Sequence, residues 1–158
     1  MAGTSQMRAS NAVYGSKAQC YVTIGNRRYN FLHLTEFESE YTINTQQVPI
    51  LGKVGFGNKA AGGVGEWSAT VHYNQSIFRV MADEYQKTGG LPYFEIQVTN
   101  DDVAAGVGRQ TVMHHGCLIS GSIPLAKILA GDQLLSEGIS GTFESWDLPE
   151  KFNEIEGL

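Results

Sequence analysis

Two stretches of strict alternation stand out along the chain. From Glu36 to Asn44 the polar residues fall on even positions, while Phe37, Tyr41 and Ile43 share the odd face. From Glu66 to Asn74, Trp67, Ala69, Val71 and Tyr73 form one face, and Glu66, Ser68, Thr70, His72 and Asn74 the other. Successive side chains of a strand point to opposite sides, so a period of two predicts strands with one wet face. The period then lengthens. Ile77, Phe78, Met81 and Tyr85 recur at helical spacing and predict one amphipathic helix over 76–88. Asn74 or Ser76 can cap its start, and Gly89-Gly90 ends it.

The remaining pattern is also strand-like. Residues 18–24 predict a strand, Gly25-Asn26 a turn, and a long second strand begins at Tyr29. Phe94, Ile96 and Val98 alternate with Glu95, Gln97 and Thr99. A loop follows from Asn100, with Gly106 and Gly108 in it. Two further strands are expected at about 110–125, broken at Gly121 or Pro124, and at 138–148. Residues 126–135 read as an apolar connection or short helix. Residues 1–15 read as a flexible arm and 149–158 as a frayed tail, leaving one domain over 16–148. Many strands with a single helix predict a mainly β protein, either a sandwich or an open barrel.

Composition narrows the partners. Charged residues make up 17% of the chain, against a typical value of roughly a quarter. A surface so poor in charge is suited to being covered by other protein. The net charge of −5 opposes binding through phosphate contacts, which need clustered Lys and Arg. The one basic pair, Arg27-Arg28, falls in the expected turn. No apolar run reaches signal-peptide or membrane-spanning length, so synthesis in a bacterial cytoplasm without a membrane anchor is expected. Cys20 and Cys117 are read as small buried thiols rather than a disulfide.

Candidate chemistry is sparse. Gly55 to Ala60 matches the spacing of a dinucleotide fingerprint, but it feeds a strand and opens no helix that could hold a pyrophosphate. His114, His115 and Cys117 sit on one strand, where His115 and Cys117 would face the same way and His114 the other. Two ligands are too few for a closed zinc site, and His33 or His72 could complete it only by chance of folding. No nucleophile elbow and no acid–base carboxylate pair is marked. The expectation is no catalytic residue, no cofactor and no metal.

Two features remain. Glu36, Glu38 and Glu40 share one strand face at a spacing of about 7 Å, where like charges repel unless well hydrated. They form either a solvated outer face or the negative wall of a channel that keeps a polyanion from sticking. The second feature is the glycine-rich stretch 52–65 between the two alternating strands, read as an extended, mobile hairpin loop.

Taken in order, the early strand pair, Gln47 to Gly52, the glycine and lysine loop, Glu66 to Val71, the single helix, Pro92-Tyr93-Phe94 and the closing Gly141 to Trp146 resemble the tail tube proteins of contractile-tailed phages. The branch is the one shared with PBSX-like defective prophages and phage-tail-like bacteriocins. The resemblance covers residues 14–148. It implies a two-sheet β-sandwich flanked by one helix, completing an inter-subunit β-barrel in a hexameric ring. Rings stack into a tube, a conduit for DNA or ions, with DNA passing in transit and not specifically bound. The implied partners are further copies, a tail sheath protein, baseplate or initiator proteins and a tape-measure protein in the lumen. The place is a virion or tail-like particle. Carried over, Glu36, Glu38 and Glu40 line the lumen, since Phe37, Tyr41 and Ile43 need a core. Gly52, Lys53, Phe56, Asn58, Lys59, Gly62 and Gly63 lie in the loop that reaches a neighbouring subunit or ring. Deleting Lys53 to Gly62 is then expected to leave a folded monomer that forms no tubes. A type VI secretion tube protein shares the fold, but Gln47 to Gly52 fits the phage branch better. A β-sandwich module binding a small ligand or glycan through Trp67 and Trp146 is the alternative from another class.

Overall fold

The computed structural model describes residues 7–30 and 34–155. Among these, the elements run β1 (Ala18–Ile24), β2 (Arg27–Asn30), β3 (Leu34–Val48), β4 (Gly57–His72), α1 (Ile77–Thr88), β5 (Phe94–Asp101), β6 (Arg109–Ser120), β7 (Ser136–Phe143) and β8 (Ser145–Glu150). The pairings of β1 with β2 and β5, of β4 with β3 and β7, and of β6 with β7 and β8 are antiparallel. The protein is mainly β with one helix. No described helix is long and apolar enough to cross a membrane.

Residues 7–30, 93–115 and 145–155 gather into one compact unit, and residues 34–92 and 116–144 into a second. Strand β6 runs from the first unit into the second. Its backbone changes character at Gly116, which takes a left-handed φ of 64°, a conformation that glycine adopts without steric cost. The left-handed residue interrupts the alternation. His114 and Cys117, three residues apart, are both buried, while His115 is half-buried. The expected pairing of His115 with Cys117 on one face fails for this reason. The Glu144 side chain packs against Gly116, and there the single strand expected over 138–148 divides into β7 and β8.

In the first unit β1 pairs with β2 and with β5, and the opening half of β6 pairs with β8. Cys20, Val22, Phe94, Ile96 and Val107 are buried there. Residues 7–15 are not a free arm. The Asn11 amide donates to the Ala105 carbonyl at 2.9 Å, and buried Asp102 accepts from the Tyr14 and Ala104 amides at 3.1 Å each. Residues 1–6 of the expected arm lie outside the described residues. The tail is likewise anchored: Glu150 accepts from Arg109, and the Asn153 amide donates to the Val107 carbonyl at 2.6 Å.

The second unit is the sheet β3–β4–β7 extended by the end of β6, with α1 contributing Phe78 and Met81 to its core. Trp67 is the centre of that core. It stacks on Phe37 with ring centroids 6.3 Å apart and meets Phe78 at 6.4 Å. The helix begins at Ser76, whose carbonyl accepts from Val80, but its hydroxyl makes no cap bond. Gly89 closes it in the left-handed conformation, as the sequence predicts. Arg79 holds the helix to the sheet. It donates to buried Glu137 at 2.5 Å and to the Gln75 carbonyl, with its guanidinium over the Tyr73 ring.

Candidate functional site

The registers of the second unit build one polar face row by row. Glu36 lies opposite Thr70, which pairs with Gly138. Glu38 lies opposite Ser68, then Ser140, then Ser120. Glu40 lies opposite Glu66, then Thr142, then Leu118. The intervening residues Phe37, Ala69, Ile139, Trp67, Gly141 and Ile119 face the other way, and all but Phe37 are buried. A shallow groove of about 360 Å³ runs along the polar face between Glu38, Glu40, Glu66 and the Ser and Thr side chains. Glu36, Glu38, Glu40 and Glu66 are all exposed, and no Lys or Arg stands in these rows. Glu66 completes the stripe. Cross-strand register, which a single-strand pattern does not contain, places it against Glu40. Directly opposed like charges destabilise a sheet unless water hydrates them.

The hairpin beyond this face differs from its expected form. Strand β4 begins at Gly57, not Glu66, so Asn58 and Lys59 are paired strand residues opposite Gln47 and Gln46. The loop shrinks to residues 49–56, where Gly52 is left-handed (φ 81°) and the Lys53 amide donates to the Ile50 carbonyl at 3.2 Å. Gly62, also left-handed (φ 89°), lies where the register shifts between Ile43 and Thr45, in a bulge of the ladder. Gly63 and Gly65 serve close approach: the Tyr41 ring lies across Gly63, and the Phe143 ring across Gly65. Gly63 and Gly65 are strand positions shaped for aromatic rings rather than loop hinges.

Every large apolar side chain between residues 41 and 64 is exposed: Tyr41, Ile43, Val48, Ile50, Leu51, Val54, Phe56 and Val64. So Tyr41 and Ile43, which were expected to need a core, are exposed among the described residues. Strand β3 also ends the sheet order, leaving a long open edge among the described strands.

The histidines take separate roles. His114 is buried with Nδ1 at 3.0 Å from the Ile96 carbonyl, and burial lowers its pKa. His115 places Nδ1 3.0 Å from Glu95 and Nε2 2.7 Å from Asp147. Carboxylates accept on both sides, so both ring nitrogens donate, and the Glu95 bond first and then the Asp147 bond raise its pKa. His33 lies outside the described residues. Trp67 is buried, whereas Trp146 is exposed on β8. Gly55 to Ala60 runs into β4 and opens no helix.

The model of the phage tail tube protein family matches residues 5–150. The chain is 28% identical to the phage-like element PBSX protein XkdM of Bacillus subtilis (strain 168) over 148 residues, covering 94% of this chain and 97% of that protein. Another protein of the same strain, YqbM, is 28% identical over 145 residues, covering 92% and 95%. Among solved structures, the cap that terminates the anti-feeding prophage tube superposes with a TM-score of 0.67 at 7% identity, over 93% of this chain and 97% of that one. The sheath–tube complex of the PVC extracellular contractile injection system superposes at 0.60 and 8% identity, over 82% and 87%. At such identities the likeness shows the fold.

Proposed function

The chain belongs to the phage tail tube protein family, and on that premise we propose that it assembles with copies of itself into stacked hexameric rings forming the inner tube of a contractile tail or tail-like particle. The observation that carries this reading is the bare hairpin: every large apolar side chain from Tyr41 to Val64 is exposed in the single chain. Exposed apolar surface of this extent marks an interaction site. Strand β3 also stands last in the strand order of the described residues, an edge that a neighbouring copy can extend, and closure into a barrel abolishes such edges.

In that barrel β3, β4, β7 and the end of β6 turn the row of Glu36, Glu38, Glu40 and Glu66 toward the lumen. A hydrated, uniformly negative wall repels a polyanion in transit and gives it nothing to bind. The apolar face turns the other way, onto the core around Trp67 and the helix. The sheath, the baseplate and a tape-measure protein are the partners this role requires, and the tail or tail-like particle is its place. Gly52, Lys53 and Phe56 at the tip, and Asn58, Lys59, Gly62 and Gly63 along the ladder, belong to the subunit-joining arm.

Electron microscopy of the purified chain at high concentration tests the reading: rings or tubes are expected, and a monodisperse monomer overturns it. Deleting Lys53 to Gly62 is a poor companion test, because it removes part of β4 together with the bulge. Replacing residues 50–55 by an Asn-Gly turn keeps the ladder. That variant is expected to fold and to form no tubes.

A further inference from the structure

We propose that His115 is a proton-operated latch: it fixes strand β8 to the first unit while its ring carries two protons and frees that strand when one is lost. The latch lies outside the hairpin and does not depend on the tube reading.

Three side chains on three strands meet at this ring. Nδ1 lies 3.0 Å from Glu95 on β5, and Nε2 lies 2.7 Å from Asp147 on β8. An ionised carboxylate only accepts, and a neutral imidazole carries a single N–H. Both bonds therefore exist together in the imidazolium alone. Once a proton leaves, one ring nitrogen turns a lone pair toward a carboxylate. The strand that yields is β8. Strand β5 is held between β1 and β6, whereas β8 pairs with β6 and stands off the main strand order. All six residues of β8 are exposed, and the Asp147 side chain is 71% exposed against 48% for Glu95.

The neighbouring charges leave the switch to this ring. Glu95 and Asp147 hold the imidazolium and raise its pKa. His114, next to it on β6, is buried, and burial lowers its pKa, so it stays neutral at pH 6.5 and above. Across β5 the row runs from Glu95 through Thr23 to Arg28, but the Arg28 guanidinium lies over the Tyr21 ring and donates to Gln97. Glu144 packs against Gly116, the next residue of β6. The far end of β8 has a lock of another kind. Glu150 accepts from Arg109 at 2.8 Å and from the Thr111 hydroxyl at 3.2 Å, and an arginine keeps its charge at every pH a protein meets. The ladder between the two locks is irregular, with a shift between Thr111 and Met113. Residues 145–148 therefore lift while the Glu150 end stays fixed. The latch is shut below the ordinary histidine value of 6.5 and opens as pH rises through the raised one.

Amide hydrogen exchange of the full chain tests the latch, read as protection after correction for the intrinsic rate at each pH. Between pH 6.5 and about pH 9, where lysine and tyrosine keep their protons, protection over 145–148 should fall about fivefold, the worth of two partly exposed charge pairs. Protection in β7, which is paired on both sides, should hold steady. His115→Gln is neutral at every pH. It should show the lowered protection already at pH 6.5 and no further fall. His33 and His72 remain in that variant, so any effect of theirs persists in it. Asp147→Asn leaves one carboxylate on the ring and should shrink the fall to about twofold. Unchanged protection over 145–148 in the parent chain overturns the proposal. A fall of the same size in His115→Gln assigns the effect to another group and overturns it too, as does a parallel fall in β7, which means that the chain opens as a whole. Should His115→Gln fail to fold, Asp147→Asn decides, and an undiminished fall there sinks the latch.

Discussion

The β3–β4 ladder has two halves that share a pair of strands and differ in what lies beneath them. Near its base, Phe37, Trp67, Ala69 and Val71 lie on a core closed by α1 and β7. Beyond Tyr41 and Gly65 the pairing continues through a bulge, but its apolar side chains stand in solvent. The backbone hydrogen bonds of a two-stranded ribbon do not make it stable alone, and three strands with a buried face or a packed helix are needed. The base half has these within its own chain. The distal half lacks them among the described residues, and its apolar side chains are exposed.

Substitutions separate the halves, beginning with the largest effect. Trp67→Ala empties the base core and should cost about 3–5 kcal/mol, read as a large fall in the midpoint of urea unfolding. Arg79→Ala leaves buried Glu137 unpaired and should cost a comparable amount, about 3–5 kcal/mol. A change near zero in either variant would mean that the base half does not depend on this core. Gly65→Ala and Gly63→Ala make a sharper pair. Each new Cβ collides with an aromatic ring. At Gly65 the ring is buried Phe143, so the cost should be about 1–3 kcal/mol. At Gly63 the ring belongs to exposed Tyr41, which can swing aside, and the cost should stay within about 0.5 kcal/mol. Equal losses would mean that the two rings are held equally firmly. Ile43→Ser in the distal half should likewise move the monomer's unfolding midpoint by less than about 0.5 kcal/mol, while removing rings and tubes from micrographs.

The smallest effect lies outside the hairpin and serves as a control. His115 has a raised pKa, so the stability it adds is complete below the ordinary histidine value and is lost as pH rises through the raised one. His114 has a lowered pKa, so its contribution is present above the ordinary value and is lost as pH falls through the lowered one. NMR titration should find His115 protonated above pH 6.5 and His114 neutral below it. The reverse order would discard the carboxylate clamp at His115.

Much of this was legible beforehand. The alternation of 66–73, the helix with its glycine stop, and the strands at 18–24 and 94–99 all appear where the pattern places them. These follow from the geometry of the local backbone. Bounds drawn from composition were less accurate. Glycine suggested a loop over 52–65, whereas Gly63 and Gly65 are seats for aromatic rings contributed by Tyr41 and Phe143. The polar character of 1–15 and 149–158 suggested free ends, but Asn11, Tyr14, Glu150 and Asn153 are bonded to distant residues.

By itself the sequence determined which residues alternate, where the period changes and which stretches are poor in charge, because those properties depend only on near neighbours along the chain. The tertiary structure alone decided that Glu66 faces Glu40, that Gly116 brings His114 and Cys117 both into burial, and that Tyr41 and Ile43 lie uncovered. Each of those depends on what fills the space across from a residue, and that space is set by parts of the chain far away in sequence.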